Sequence, residues 1–299
     1  MKSAELNEIH ALLNARKSTP PGSLQEARKG YDQLCAMFQP HASLRFESLE
    51  LGGVPALRGA TANCPTVGNT ILYVHGGGFM VGSAAGFKGL AGSLALHADA
   101  QVFVLDYRLA PEYPFPAGRD DVLRAYKALL AAGIPPQKIA LAGDSAGAQL
   151  ILSSLLEAKA QNVSLPGAIL ALSPWVDLTL SGGSLYSKAD DDVFLSAAKL
   201  TGCAQAYFGA GNASDEASVV LTGDLQEFPP LMIHVGSAEI LLDDALRLAN
   251  HAISNNVMTR LEVWPDMFHV WHAFAPRLRE GREALAQAGE FLKQHLQSH

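Results

Sequence analysis

Apolar positions fall into two patterns along the chain, and the way they alternate predicts the architecture. Short apolar runs cover residues 70–75, 102–105, 138–142, 168–172, 230–235 and 260–264. Such runs read as strands buried on both faces, the signature of a parallel sheet. Between them, helical spacing predicts helices over 117–132, 148–159, 240–254 and 281–296, the first closed by Gly133. Strands alternating with helices over most of the chain predict an α/β fold, a mostly parallel central sheet with helices on both faces.

Three regions depart from that alternation. Residues 1–40 predict two helices. Leu6, Ile9, Leu12 and Leu13 share a face, and Pro20-Pro21-Gly22 breaks the chain. Ser23 and Glu26 then form a capping box ahead of Leu24, Ala27, Tyr31, Leu34 and Phe38, and Pro40 ends the run. The spacing fits either a lid or outer packing. Leu44 and Phe46 begin a loosely alternating strand that turns at Gly52-Gly53 and returns over 54–58 as a hairpin. Residues 177–224, rich in Ser, Gly and Asp, interrupt the alternation, with one helix over 196–208 followed by Gly209. Long insertions of this kind often cover sites in α/β enzymes. The predicted organisation is N-terminal helices over 1–40, a core over 41–176 and 225–299, and an insertion over 177–224.

Composition narrows the partners. The chain has 299 residues, 48% of them apolar and 17% charged, enough for a large core. A net charge of −7 argues against nucleic acid and anionic membrane surfaces. Cys35, Cys64 and Cys203 are far apart and odd in number, which predicts reduced thiols in a cytoplasmic protein rather than a disulfide or zinc framework. The N-terminus lacks the apolar run of a secretory signal, and no run has the length of a membrane span. Asn162-Val163-Ser164 and Asn212-Ala213-Ser214 match the glycosylation pattern but carry no meaning without a signal.

The chemistry centres on Gly143-Asp144-Ser145-Ala146-Gly147, placed between a predicted strand and a predicted helix. A serine on a sharp strand-to-helix turn needs small neighbours, and the turn lifts its hydroxyl above the sheet edge. Serine needs a base, and His269 follows the last predicted strand on the same edge, with His272 as second choice. Glu239 follows strand 230–235 and is the preferred acid, with Asp243 next and Asp244 and Asp266 further behind. His75-Gly76-Gly77-Gly78 follows strand 70–75, and the N–H groups of Gly77, Gly78 and Ala146 are the predicted oxyanion donors. Arg108, Glu112, Asp120, Asp121 and Asp144 read as loop-holding residues. Phe79, Met80, Leu180 and Phe208 read mostly as core.

His75 to Gly78, the run Asp106-Tyr107-Arg108-Leu109-Ala110-Pro111-Glu112 and Gly143 to Gly147 together resemble the hormone-sensitive lipase-like (bacterial family IV) esterases. The runs Ser173 to Leu178 and Leu242-Asp243-Asp244 fit as well, and the resemblance spans roughly residues 40–299. It implies an α/β-hydrolase core with a helical cap made by the N-terminus and the insertion. It implies hydrolysis of short- to medium-chain carboxylic esters through an acyl-enzyme, with no metal or cofactor, a small-molecule ester as partner, and a homodimer. The Trp175 region resembles lactone hydrolases more weakly, and an amidase or arylformamidase would use the same triad. Related plant hormone receptors bind without turnover, but they lack the histidine that is present here as His269. The family's acid is usually Asp, so Glu239 is a departure, one methylene longer, that keeps Asp243 as an alternative.

Overall fold

A computed structural model describes residues 3–17, 22–35, 37–62, 68–209 and 218–297. Cys64, Asn212-Ala213-Ser214 and Pro20-Pro21 lie outside the described residues. Among the described residues, one eight-stranded sheet runs in the order β1-β2-β4-β3-β5-β6-β7-β8. The strands are β1 (Leu44–Leu51), β2 (Val54–Thr61), β3 (Thr70–Val74), β4 (Gln101–Leu105), β5 (Ile139–Asp144), β6 (Ala168–Leu172), β7 (Leu231–Gly236) and β8 (Thr259–Trp264). The β1–β2 hairpin joins antiparallel to β4, and every pairing from β4 onward is parallel.

The helices are α1 (Ala4–Lys17), α2 (Leu24–Cys35), α3 (Ala84–Ala98), α4 (Ala117–Ala131), α5 (Ala146–Ala160), α6 (Ser184–Ser187), α7 (Ala197–Phe208), α8 (Val219–Thr222), α9 (Leu242–Ser254) and α10 (Arg279–Gln297). The central strands alternate between two cores, as the period of two requires. Leu72, Val74, Ile139 and Leu141 pack into the core that also holds residues of α4, α5 and α9. Ile71, Tyr73, Ala140 and Ala142 pack into the core that holds residues of α3 and α10. Small residues on that second face of β5 let α3 and α10 approach the sheet. Each leucine so buried contributes about 1.5–3 kcal/mol.

The loose alternation in β1 has a structural reason. It is the outer edge of the sheet, and only its end residues Leu44 and Leu51 are buried. The Gly52-Gly53 turn has φ of 58° and 77°, left-handed values that glycine adopts without strain. The capping box at Ser23 forms: Ser23 Oγ accepts from Glu26 N (3.2 Å), and Glu26 reaches back to accept from Gly22 N (2.8 Å). Leu6, Ile9 and Leu13 of α1 and Leu34 of α2 form a third core with Val193, Met267, Phe268 and Trp271. The N-terminal helices therefore pack against both the insertion and the loop after β8. α3 has no counterpart among the predicted elements. Its residues are mostly Ala, Gly and Leu, and eight of its fifteen positions are buried, so no polar stripe marks it.

Candidate active site

Strand β5 ends at Asp144, and α5 begins at Ala146, so Ser145 alone makes the turn between them. Its backbone, at φ 53° and ψ −122°, lies in a region that non-glycine residues rarely enter. The strain is held by Ser145 N donating to Leu172 O (2.9 Å) and Ser145 O accepting from Trp175 N (3.2 Å). Glycine is needed on both sides. A Cβ on Gly143 would lie 2.7 Å from Val74 O, and one on Gly147 would lie 2.0 Å from the same oxygen.

Loop 75–81 leaves the adjacent strand β3 beside this turn. Gly77 (φ 112°) and Gly78 (φ 59°) both need left-handed backbone. Gly77 O accepts from Met80 N and Val81 N, each at 3.1 Å, which curls the loop tightly. A Cβ on Gly77 would stand 2.1 Å from Val81 O, so a side chain has no room there. The N–H groups of Gly77, Gly78 and Ala146 have no hydrogen-bond partner among the described residues, and Ala146 is the first residue of a helix. Three unspent donors therefore stand around the serine turn, backed by the positive end of α5.

His269 follows β8 and Glu239 follows β7, on neighbouring parallel strands. Both side chains are buried, and His269 Nδ1 lies 2.8 Å from Glu239 Oε2. The other carboxylate oxygen, Oε1, accepts from Ser173 Oγ and from Gly236 N, each at 2.7 Å. Ser173 Oγ in turn accepts from Val270 N (3.0 Å), the residue after the histidine. Ser173 thus ties Glu239, the loop that carries His269 and the end of β6 together, a role its place in the sequence does not announce. Nδ1 is occupied by the carboxylate, and His269 Nε2 has no protein partner among the described residues. Ser145 Oγ makes no hydrogen bond to it; such contacts often close only around substrate. Ser145, Glu239 and His269 follow β5, β7 and β8, and the parallel pairing of β5 through β8 brings all three to the same rim of the sheet.

The second choices point elsewhere. Asp243 accepts from Ser184 N (2.9 Å), and Asp244 accepts from Val176 N and Asp177 N, each at 2.8 Å. Asp266 leaves its backbone N–H on Ser237 Oγ and has its own φ at 62°. His272 is buried against His234, their ring nitrogens 3.2 Å apart. Burial and the neighbouring His234 hold the His272 pKa well below the ordinary imidazole value.

The loop-holding residues act as their chemistry suggests. Asp121 is buried and pairs with Arg108, accepting also from Arg108 N (2.8 Å). Glu112 pairs with Arg28 of α2 at 2.7 Å, and Arg28 Nε also donates to Met80 O (2.8 Å) in the glycine loop. Asp120 pairs with the adjacent Arg119. Asp144 accepts from Tyr73 Oη (2.7 Å) and Gly76 N (3.0 Å), which fastens the glycine loop to the serine turn. Burial lifts the Asp144 carboxyl to about 6, against the lowering pull of those two donors. Phe79 is buried and stacks on Tyr207 at 3.9 Å, while Phe208 and Leu180 pack partly buried around the same core.

Among the described residues no helix is long and apolar enough to cross a membrane, and no cluster of His, Cys, Asp or Glu could hold a metal. A family model for the alpha/beta hydrolase fold matches residues 71–273. An acetyl-hydrolase of Streptomyces hygroscopicus is 36% identical over 98% of this chain and 97% of its own. An esterase of Acinetobacter venetianus is 33% identical over 94% of this chain and 93% of its own. The crystal structure of an esterase from the bacterial hormone-sensitive lipase family superposes with a TM-score of 0.95, at 38% identity and 99% coverage of both chains.

Proposed function

Because this chain belongs to the α/β-hydrolase family, in its bacterial hormone-sensitive lipase-like branch, we propose that it is a serine carboxylesterase acting on short- to medium-chain carboxylic esters. Relatives named esterase and acetyl-hydrolase over nearly their whole length support that chemistry. The observation that carries the reading is the buried Glu239–His269 pair at 2.8 Å, which leaves Nε2 as the imidazole's free nitrogen on the rim that holds Ser145. Ser145 attacks the ester carbonyl while His269 Nε2 takes its proton. Glu239 keeps the ring in the right tautomer and balances its charge. The N–H groups of Gly77, Gly78 and Ala146 receive the oxyanion. His269 returns the proton to the departing alcohol, then draws one from water so that hydroxide attacks the acyl-enzyme. Each oxyanion donor supplies about 2.7–4 kcal/mol in comparable sites. No step needs a cofactor.

The N-terminal helices and the described part of the insertion, residues 177–209 and 218–224, form the cap over this site, a reading supported by the apolar cluster that Val193 shares with those helices. A cytoplasmic setting fits the free thiol of Cys203. A homodimer fits the open edge of β8, beside which Met258 and Val263 are exposed. The test is Ser145→Ala with p-nitrophenyl acetate. Burst and turnover are expected to vanish, together with labelling by a fluorophosphonate. Steady turnover by the variant would overturn the assignment.

A further inference from the structure

Strand β6 supplies no member of the proposed triad, yet the turn after it is bonded to the segments of all three. Leu172 O accepts from Ser145 N (2.9 Å), and Trp175 N donates to Ser145 O (3.2 Å). Between them, buried Ser173 donates from Oγ to Glu239 Oε1 (2.7 Å) and accepts from Val270 N (3.0 Å), next to His269. Its own N–H donates to His234 O on β7 (2.7 Å). A serine hydroxyl has a single proton. Val270 N–H points at the oxygen's lone pair, so that proton is committed to the carboxylate.

Two backbone torsions show what the hydroxyl holds. Ser173 has φ 46° and Val270 has φ 52°, both left-handed, and for a β-branched residue such as valine that region is an outlier. Such conformations persist only where their surroundings enforce them. The bond from Val270 N to Ser173 Oγ is one such hold, and it acts on the residue directly after the base. On the acid side, Glu239 carries its carboxylate on an arm with one more rotatable bond than an aspartate has. Ser173 Oγ and Gly236 N fix Oε1, which leaves Oε2 facing His269 Nδ1 at 2.8 Å. One buried oxygen therefore bears on both ends of the acid–base contact. We infer that Ser173 is a positioning residue of the esterase reaction: its hydroxyl locks the long acid and the base loop into register with the serine turn. The inference rests on the esterase reading. Ser173 is fully buried, so it acts through Glu239 and His269 and does not meet substrate.

Two variants separate the hydroxyl from the backbone strain. Ser173→Ala removes the hydroxyl and keeps the strain, whereas Ser173→Gly removes both. The glycine variant is expected to melt about 2–4 °C above the alanine variant. Both should nevertheless lose about 10- to 100-fold in kcat on p-nitrophenyl acetate, per site titrated by fluorophosphonate. Acylation and deacylation both run through His269, so both slow together and KM stays within about threefold. The second readout is the far-downfield proton NMR signal of His269 Nδ1–H on Glu239, assigned by its absence from Glu239→Gln. It should shift upfield or broaden away in Ser173→Gly. That variant decides the matter alone if Ser173→Ala does not fold. A kcat within threefold of the parent would overturn the inference. So would a loss that follows melting temperature from one variant to the other, or a loss with the NMR signal unmoved, because Ser173 would then serve the fold alone. A wild type that labels and turns over ester while its variants give any of these results loses only this inference. A wild type that neither labels nor turns over any ester loses the esterase reading, and this inference with it.

Discussion

Replacing Glu239 with glutamine tests the acid by changing almost nothing but its hydrogens. Oε1 holds two bonds of 2.7 Å, from Ser173 Oγ and Gly236 N, and Oε2 holds His269 Nδ1 at 2.8 Å. Glutamine can keep the first pair only by placing its amide nitrogen where Oε2 was. That nitrogen is a donor and turns Nδ1 into an acceptor. The ring proton then sits on Nε2, which can no longer take one from Ser145. The same tautomer error in a serine triad lowers kcat by about 10⁴, or about 5.5 kcal/mol of barrier. The fold should barely notice, because both donors to Oε1 stay satisfied and no buried donor is stranded. The melting temperature should stay within about 5 °C, corresponding to roughly 2 kcal/mol or less. Glu239→Asp gives the complementary result. One methylene shorter, it cannot span Ser173 and His269 at once, and about 10- to 100-fold loss of kcat is expected from misplacing the base by about 1 Å. The assay is steady-state hydrolysis of p-nitrophenyl acetate, normalised to sites titrated by fluorophosphonate. Glu239→Gln with native melting and kcat within tenfold of the parent would refute the argument.

Gly77→Ala is expected to lower kcat by about 10²–10³ on the same substrate, since its Cβ would meet Val81 O at 2.1 Å and turn a donor away from the oxyanion; unchanged kcat would remove Gly77 from the site. Tyr73→Phe takes a 2.7 Å donor from the buried Asp144 carboxyl, and urea unfolding should register a loss of about 1–3 kcal/mol. Burial holds the Asp244 carboxyl up at about 7 despite the two backbone N–H groups it accepts from. An unfolded aspartate titrates near 3.9, so here the folded state binds the extra proton: the stabilisation is full below about pH 4 and is lost as pH rises through 7. The stability of the wild type relative to Asp244→Asn should therefore fall steadily from pH 4 to 8, and a gap independent of pH would contradict the assigned burial.

Much of the fold is legible because its strands are buried on both faces and read as unbroken apolar runs. The serine turn and the glycine loop are legible for a steric reason: only glycine tolerates Val74 O at 2.0 Å from the Cβ position of residue 147, or φ of 112° at residue 77. Other features leave no local mark. The helix α3 is apolar on most of its sides because α2, α10 and the sheet all surround it, so it has no amphipathic period. Glu239 and Asp243 are four residues apart after the same strand, and chain position cannot separate them. The turn before α9 does so, aiming one at His269 and the other at Ser184. Ser173 reads as one more small residue in a loop. Its bonds join residues 66 and 97 positions away, and no window of sequence contains them.

The residues of the proposed triad follow three different strands, so a fragment that lacks any of those strands should be inactive. Ser145 follows β5, Glu239 follows β7 and His269 follows β8, with β6 between the first two. A slip of one residue between β7 and β8 would move the base by about 3.3 Å and invert every side chain of the strand. Hydrolysis is thus a gauge of whether the whole sheet has assembled correctly. During refolding, ester turnover should return only after helical and strand signals have recovered, because the distant strand pairings it depends on are slow to find one another.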